Sequence, residues 1–440
     1  MPHLLPILAD GSAPFEAALA GLAARGPGDL EAVAPAVREI LAAVRAEGDV
    51  AVRRYVERFE RRVAGPLVRT LSPAEGAAAL GRLAPAVRDG LVLAAQRIDR
   101  FHRRQWDAEL AQASFLYEED GISLGMRVSP LARVGVYAPG GKARYPSSVL
   151  MSAIPARVAG VEDVVLATPD PDDSLLAAAH LAGVRSIVDA GGAQAIAALA
   201  FGTASIHRVD KIVGPGNAYV ACAKRLVFGE VAIDSIAGPS EILVLADEHA
   251  DPALVAADLL SQAEHDEAAY VVLVTLSREV AEAVAAAVDA QLAGLQRRAI
   301  AEASVRAHGA ILVVPTLDRL VAVAEIIAAE HVAFHLDDPR PVFDRLRSVG
   351  AALLGASTPV ALGDYLAGPS HVLPTGGCVR FGSPLGVHDF VRRSSILHYS
   401  PDALRRHGPA VSALARAEGL EAHARAVELR LSSDLPQSGA

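Results

Sequence analysis

Only two cysteines, Cys222 and Cys378, occur in 440 residues, which excludes a disulfide framework and points to a reducing compartment. Long apolar runs are missing as well. No segment approaches the roughly 20 apolar residues of a membrane span. The start, Met1-Pro2-His3-Leu4-Leu5-Pro6, has neither a basic stretch nor a sustained apolar run of the kind that directs export. The expectation is a soluble, cytoplasmic protein with no membrane partner. Positive charge is not in excess either: the formal net charge is −10. Pairs such as Arg61-Arg62 and Arg405-Arg406 sit among acids or apolar residues, as on solvated helix faces, so no nucleic-acid partner is expected. Aromatics supply 4% of the chain against 52% hydrophobic residues, which suits an Ala/Val/Leu-rich α/β enzyme and says nothing about substrate.

The length allows about two to four domains. Residues 1–128 read as a mainly helical region, with helical apolar spacing at 30–47, 51–59 and 83–105 and no strand-rich unit. From Ala132 the pattern changes. Short β-branched runs at 133–137, 163–167, 186–188 and 211–213 alternate with helix-like 147–159, 174–182 and 193–200. A second series places strands at 241–246, 270–275, 310–314, 332–336 and 351–354, with helices at 252–264, 278–295, 317–329 and 341–349. Such alternation implies parallel strands joined by right-handed crossovers. The expected fold is α/β: two tandem Rossmann-like parallel-sheet units, 129–237 and 238–380, with the seam at Gly238-Pro239-Ser240. After Gly376-Gly377 the strand rhythm stops, and 381–440 reads as a C-terminal helical tail of the kind that packs on another subunit.

Chemistry-bearing residues are concentrated in a few places. Gln262 and His265, one helical turn apart at a helix end, can both reach a single ion. With Asp364 and His423 they supply an amide oxygen, two imidazoles and a carboxylate, a set suited to zinc or another borderline divalent ion. Four such ligands on Zn²⁺ would leave a site charge of about +1. The alternative is that the two histidines are unrelated helix-end residues among 14. Glu330-His331, where a helix gives way to a strand, pairs a carboxylate able to activate water with an imidazole able to take an alcohol proton. His371 and Glu418 are further polar groups in apolar surroundings. Pro139-Gly140-Gly141, Gly191-Gly192 and Gly214-Pro215-Gly216-Asn217 each follow a strand and precede a helix, where free backbone amides can hold an anion such as a nucleotide phosphate. The third lacks the last glycine of the dinucleotide fingerprint, and turn glycines are more often purely conformational. Asn217 is the only asparagine in the chain. The two cysteines read as structural, with a thiol nucleophile the lesser alternative.

These residues fall in motifs that resemble the histidinol dehydrogenase family over nearly the whole chain. The motifs are Val136-Tyr137-Ala138-Pro139-Gly140-Gly141, Gly191-Gly192-Ala193-Gln194-Ala195-Ile196-Ala197, Val213-Gly214-Pro215-Gly216-Asn217, Ala237-Gly238-Pro239-Ser240-Glu241, Asp258 through His265, Gly363-Asp364-Tyr365, His371-Val372-Leu373-Pro374 and Glu418 through His423. The resemblance implies oxidation of L-histidinol via L-histidinal to L-histidine, with one zinc per subunit and two NAD consumed. It implies zinc ligands Gln262, His265, Asp364 and His423, and catalytic Glu330 and His331. Substrate contacts are implied at Ser240, His371 and Glu418 in addition to the metal ligands and His331, and NAD contacts at Tyr137, Gln194 and Asn217. It further implies a homodimer whose C-terminal tails complete each other's active sites. The chain departs from the family pattern at Ala329, where proline is usual, and at Ser370, where asparagine is usual. Rival readings are a relative acting on another polar alcohol such as a sulfonated diol, a zinc hydrolase with Glu330 as base, and a non-catalytic metal-binding protein.

Overall fold

The computed structural model describes residues 3–26, 30–140 and 144–433. Gly141, the last residue of the first glycine turn, lies outside them, as does the end of the tail at 434–440. The chain divides into two compact units, Met1–Arg103 with Leu131–Phe390, and Arg104–Pro130 with Val391–Ala440. In chain order, β1 (Ile7–Ala9) and β2 (Val68–Thr70) precede the hairpin of β3 (Phe115–Glu119) and β4 (Ile122–Pro130). β5 (Arg133–Tyr137), β6 (Asp163–Ala167), β7 (Ser186–Val188), β8 (Lys211–Val213) and β9 (Ala232–Ile233) come next. β10 (Glu241–Ala246), β11 (Tyr270–Thr275), β12 (Gly309–Val313), β13 (His331–His335), β14 (Ala351–Leu354) and β15 (Val391–Tyr399) complete the series.

The first unit contains two six-stranded sheets, ordered β2-β7-β6-β5-β8-β9 and β1-β12-β11-β10-β13-β14. All pairings are parallel except that of β2 with β7. Burial on both faces explains the continuous apolar runs. Along β10, Ile242, Val244 and Ala246 enter one core with the helices Pro252–Ala263, Arg278–Leu292 and Arg298–His308, while Leu243 and Leu245 enter the opposite core with Ala13–Ala24 and Leu317–Ile327. Alanines such as Ala256, Ala281 and Ala285 line these helices, so they lie close to the strands and the cores fill without many aromatics.

The segment read as a helical region also carries sheet edges. β1 pairs with β12, and β2 closes the edge of the first sheet against β7. Three residues are too few for alternation to show in sequence. In the second unit β15, β4 and β3 form an antiparallel sheet, accompanied by the helices Pro401–Ala417 and Glu421–Leu431. β15 therefore continues strand structure past the point where the rhythm was expected to end. Most of its residues are exposed on both faces, so it lacks an apolar period.

At the carboxyl end of β8, Gly214 has φ +113°, and a Cβ there would lie 2.2 Å from the Tyr137 carbonyl oxygen, so only glycine fits. Buried Lys224 donates to the Gly214 carbonyl at 3.0 Å and pairs with buried Asp234, which in turn accepts the Gly214 N–H at 2.7 Å. One ion pair thus holds both backbone polar groups of Gly214. Lys224→Met strands the Asp234 carboxylate and should cost about 3–5 kcal/mol in urea unfolding. A loss below about 1 kcal/mol, the ceiling for solvated pairs, would show that the pair is not sealed from water.

Candidate active site

The register of β10 with β13 sets Ile242 opposite His331, which places Glu241 beside Glu330 at the amino edge of the second sheet. The two glutamates exchange bonds: Glu241 N–H donates to Glu330 Oε2 at 2.8 Å, and Glu330 N–H donates to Glu241 Oε2 at 3.2 Å. His331 Nδ1 lies 3.1 Å from the Glu241 carbonyl oxygen, which can only accept, so Nδ1 carries a proton. Nε2 then faces Asp364 Oδ1 at 3.8 Å. Both Glu330 and His331 are buried. Burial pulls the imidazole pKa down, but the Glu330 charge and hydrogen bond and the Asp364 charge outweigh it, and the group is pushed up to about 9.

Asp364 lies in the short helix Val360–Tyr365, and its carbonyl accepts from His371 Nδ1 at 2.8 Å. His371 Nε2 therefore holds the lone pair and meets the buried Ser148 hydroxyl at 3.2 Å. Burial lowers the His371 pKa, which favours a neutral ring. Ser370 spans the family's asparagine position by donating to the Met151 carbonyl and accepting the Val372 N–H, both at 3.2 Å. Ala329 is buried, and its carbonyl accepts from Gly350 N–H at 3.3 Å.

Gln262 stands in the last turn of Pro252–Ala263. It is 1% exposed, and neither its amide oxygen nor its amide nitrogen has a hydrogen-bond partner. Such a group carries a desolvation cost of about 1–3 kcal/mol unless something binds it. Its helix packs on the helix of Asp364, with Leu260, Ala263 and Val360 in one core. His265 follows in an exposed turn, its N–H donating to the Gln262 carbonyl at 3.1 Å. Ser240 accepts the Tyr270 N–H through its carbonyl at 2.9 Å. Glu418 and His423 belong to the second unit, where both are exposed.

In the glycine turns the amides of Gly191, Gly192 and Gly214 are already taken. Gly191 N–H donates to Glu60 Oε1 at 2.9 Å, Gly192 N–H to the Tyr137 hydroxyl at 3.0 Å and Gly214 N–H to Asp234. Two of these acceptors are carboxylates, which repel phosphate. Asn217 caps the helix Ala218–Val227 by accepting the Val220 N–H at 3.2 Å, and Gln194 is buried in Gly192–Phe201. Tyr137 is buried, and burial, together with the Glu60 charge, raises its pKa to about 12 despite the Gly192 bond. Burial likewise raises both cysteine thiols, in keeping with structural roles. Among the described residues, the group of His/Cys/Asp/Glu side chains close enough to share an ion is Asp247, His249 and Asp337, at the carboxyl ends of β10 and β13. It was not legible in sequence because Asp337 stands 90 positions after Asp247, and Asp247 with His249 alone carries no metal-site pattern. Ser148 escaped notice for the same reason.

Two doubly covered sheets with a buried acid–base couple at a strand edge define an α/β enzyme. A profile described as histidinol dehydrogenase matches residues 23–431. The histidinol dehydrogenase of Syntrophotalea carbinolica is 50% identical over 97% of this chain and 99% of its own, and that of Aquifex aeolicus 49% over 93% and 95%. A crystal structure of histidinol dehydrogenase from Elizabethkingia anophelis superposes with a TM-score of 0.88 at 32% identity, covering 98% of this chain and 99% of the other. The chain belongs to the histidinol dehydrogenase family, and it is an oxidoreductase acting on a CH–OH group.

Because the His331 pKa stands above its ordinary 6.5, the charged ring stabilises the fold fully below pH 6.5, and this contribution disappears as pH rises to about 9. In chelating buffer, the stability margin of wild type over His331→Gln should shrink across that window by at most about 3 kcal/mol. A margin independent of pH would show that the ring is not held charged.

Proposed function

We propose that the chain oxidises L-histidinol through L-histidinal to L-histidine with two NAD, using one zinc per subunit. The observation that carries this reading is the unpartnered amide of Gln262, buried in a helix that packs against the helix of Asp364. A buried amide oxygen without a donor fits a metal ion, and Asp364 offers the carboxylate such a site needs. Gln262, His265 and Asp364 would hold the zinc, with His423 supplied by a second copy. Bound among these donors, the ion supplies positive charge that anchors the neutral nitrogens of an amino alcohol and counters the carboxylates that hold His331 as imidazolium.

His331 Nε2 then accepts the hydroxyl proton as the carbon-bound hydrogen leaves as hydride for NAD. Its Nδ1–H bond to the Glu241 carbonyl keeps the lone pair on Nε2. Glu330 takes a proton from water, whose oxygen adds to the aldehyde carbon as His331 returns its proton to the carbonyl oxygen; the hydrate then loses a proton to His331 and a hydride to the second NAD, and the carboxyl group formed ionises to the carboxylate. Ser240, His371 and Glu418 would contact the substrate. The neutral His371 ring accepts from Ser148, so its position is fixed before substrate arrives. Tyr137 and Asn217 serve the protein only as acceptors in the bonds above, which leaves the phenol proton and the side-chain NH₂ free to donate to NAD, and Gln194 would be a third contact.

A homodimer with shared sites is supported by the second unit, where Leu116, Leu397, Leu414 and Leu429 are each more than 60% exposed in the single chain. Domain limits at 129–237 and 238–380, a tail at 381–440 acting on the partner, and a cytoplasmic setting complete the proposal. No described helix is long and apolar enough to cross a membrane.

Zinc-loaded protein given L-histidinol and NAD should form two NADH per histidine; zinc-dependent hydrolysis without NADH would favour a hydrolase instead. His331→Gln should lower kcat for histidinol about 10²–10⁴-fold, whereas Glu330→Gln should chiefly block hydration of supplied histidinal. Equal loss of every step in both variants would contradict this division. Refolding a 1:1 mixture of Asp364→Ala and His423→Ala chains should restore about a quarter of wild-type activity, since half the dimers carry one intact site. A mixture that stays inactive while wild type recovers would rule out sites shared between copies.

A further inference from the structure

Glu330 and His331 are held by hydrogen bonds to Glu241, which is itself buried and paired. Arg25, in the amino-terminal segment, has a side chain 2% exposed, and that of Glu241 is 3% exposed. The guanidinium grips Glu241 with two bonds, Nε to Oε1 and Nη2 to Oε2, both 2.7 Å. Its other hydrogens go to main-chain carbonyls: Nη1 donates to that of Leu22 and, at 2.6 Å, to that of Ile327, and Nη2 to that of Ala328 at 3.3 Å, the last two at the end of Leu317–Ile327. Ala328 sits in the left-handed region at φ +49°, unfavourable for a residue with a Cβ, two positions before Glu330. Glu241 passes the constraint on: its carboxylate accepts the Glu330 and Gly376 N–H groups, its N–H donates to Glu330 Oε2, and its carbonyl faces His331 Nδ1.

We propose that Arg25 and Glu241 are positioning residues for the reaction. The ion pair locks the left-handed turn at Ala328, sets the Glu330 carboxylate where it can reach water, and commits His331 to the tautomer whose lone pair is on Nε2. Lysine cannot reproduce the contacts of Arg25, because a single ammonium cannot fork onto a carboxylate while also capping three carbonyls. This rests on the reading that Glu330 and His331 carry the proton transfers.

The test compares zinc-loaded wild type, Arg25→Lys, and the charge-neutral pair Arg25→Met/Glu241→Gln, with His331→Gln and Glu330→Gln alongside. For the double variant kcat should fall about 100-fold on both histidinol and histidinal, with KM for histidinol within about twofold of wild type. The solvent deuterium isotope effect on kcat should rise, because proton transfer has become slow. Arg25→Lys keeps the charge and should lose about tenfold in kcat with the same isotope signature; it decides the matter if the double variant does not fold. A folded double variant, or Arg25→Lys, with wild-type kcat and isotope effect overturns the proposal. If His331→Gln and Glu330→Gln also keep wild-type kcat, the acid–base reading falls with it. If those two lose activity while the Arg25 variants do not, only the positioning role is wrong.

Discussion

The parallel pairing of β10 with β13 is the constraint on which the site depends. One residue of slip would move Glu241 away from Glu330, break the exchange of bonds between them, and turn His331 to the other face of the sheet. The register is held because successive side chains of β10 fill two different cores, so a slip would exchange their contents. Ordinary hydrophobic burial thereby fixes the distance between a carboxylate and an imidazole.

The proposed chemistry draws on opposite strand ends. The first sheet offers its carboxyl edge, where Tyr137 and the glycine turns lie. The second offers its amino edge, where Glu330 and His331 enter β13. They are joined through Ser148 on His371 and His371 on Asp364. Parallel α/β sheets more often place reactive groups at carboxyl ends. Here the amino edge can serve because Glu241, the first residue of β10, turns carboxylate, N–H and carbonyl alike toward the entry of the neighbouring strand.

Much of the architecture could be read from the chain. The runs at 133–137, 163–167, 241–246 and 270–275 are strands at the expected limits, because strands buried on both faces must be apolar throughout. The short edge strands β1 and β2 and the exposed β15 could not be read, since a strand that buries little carries little pattern. The same holds for the site. Glu330 and His331 stand out in sequence as adjacent titratable residues at a helix-to-strand junction. Arg25 looks like any surface arginine, and nothing local marks Ser148 or the cluster of Asp247, His249 and Asp337. Of the glycine-turn amides that read as open to an anion, those of Gly191 and Gly214 are held by distant Glu60 and Asp234.

Periodicity and residue type alone sufficed for the α/β class, the tandem order of the strands and the presence of an acid–base pair, because these are local properties of a few consecutive residues. Tertiary structure alone decided which lone pair His331 presents, that Gln262 is left without a partner, and that an arginine 305 positions away from Glu330 braces it. Each of these depends on which groups meet across strands and helices and on the exclusion of water there, and neither exists until the chain has folded.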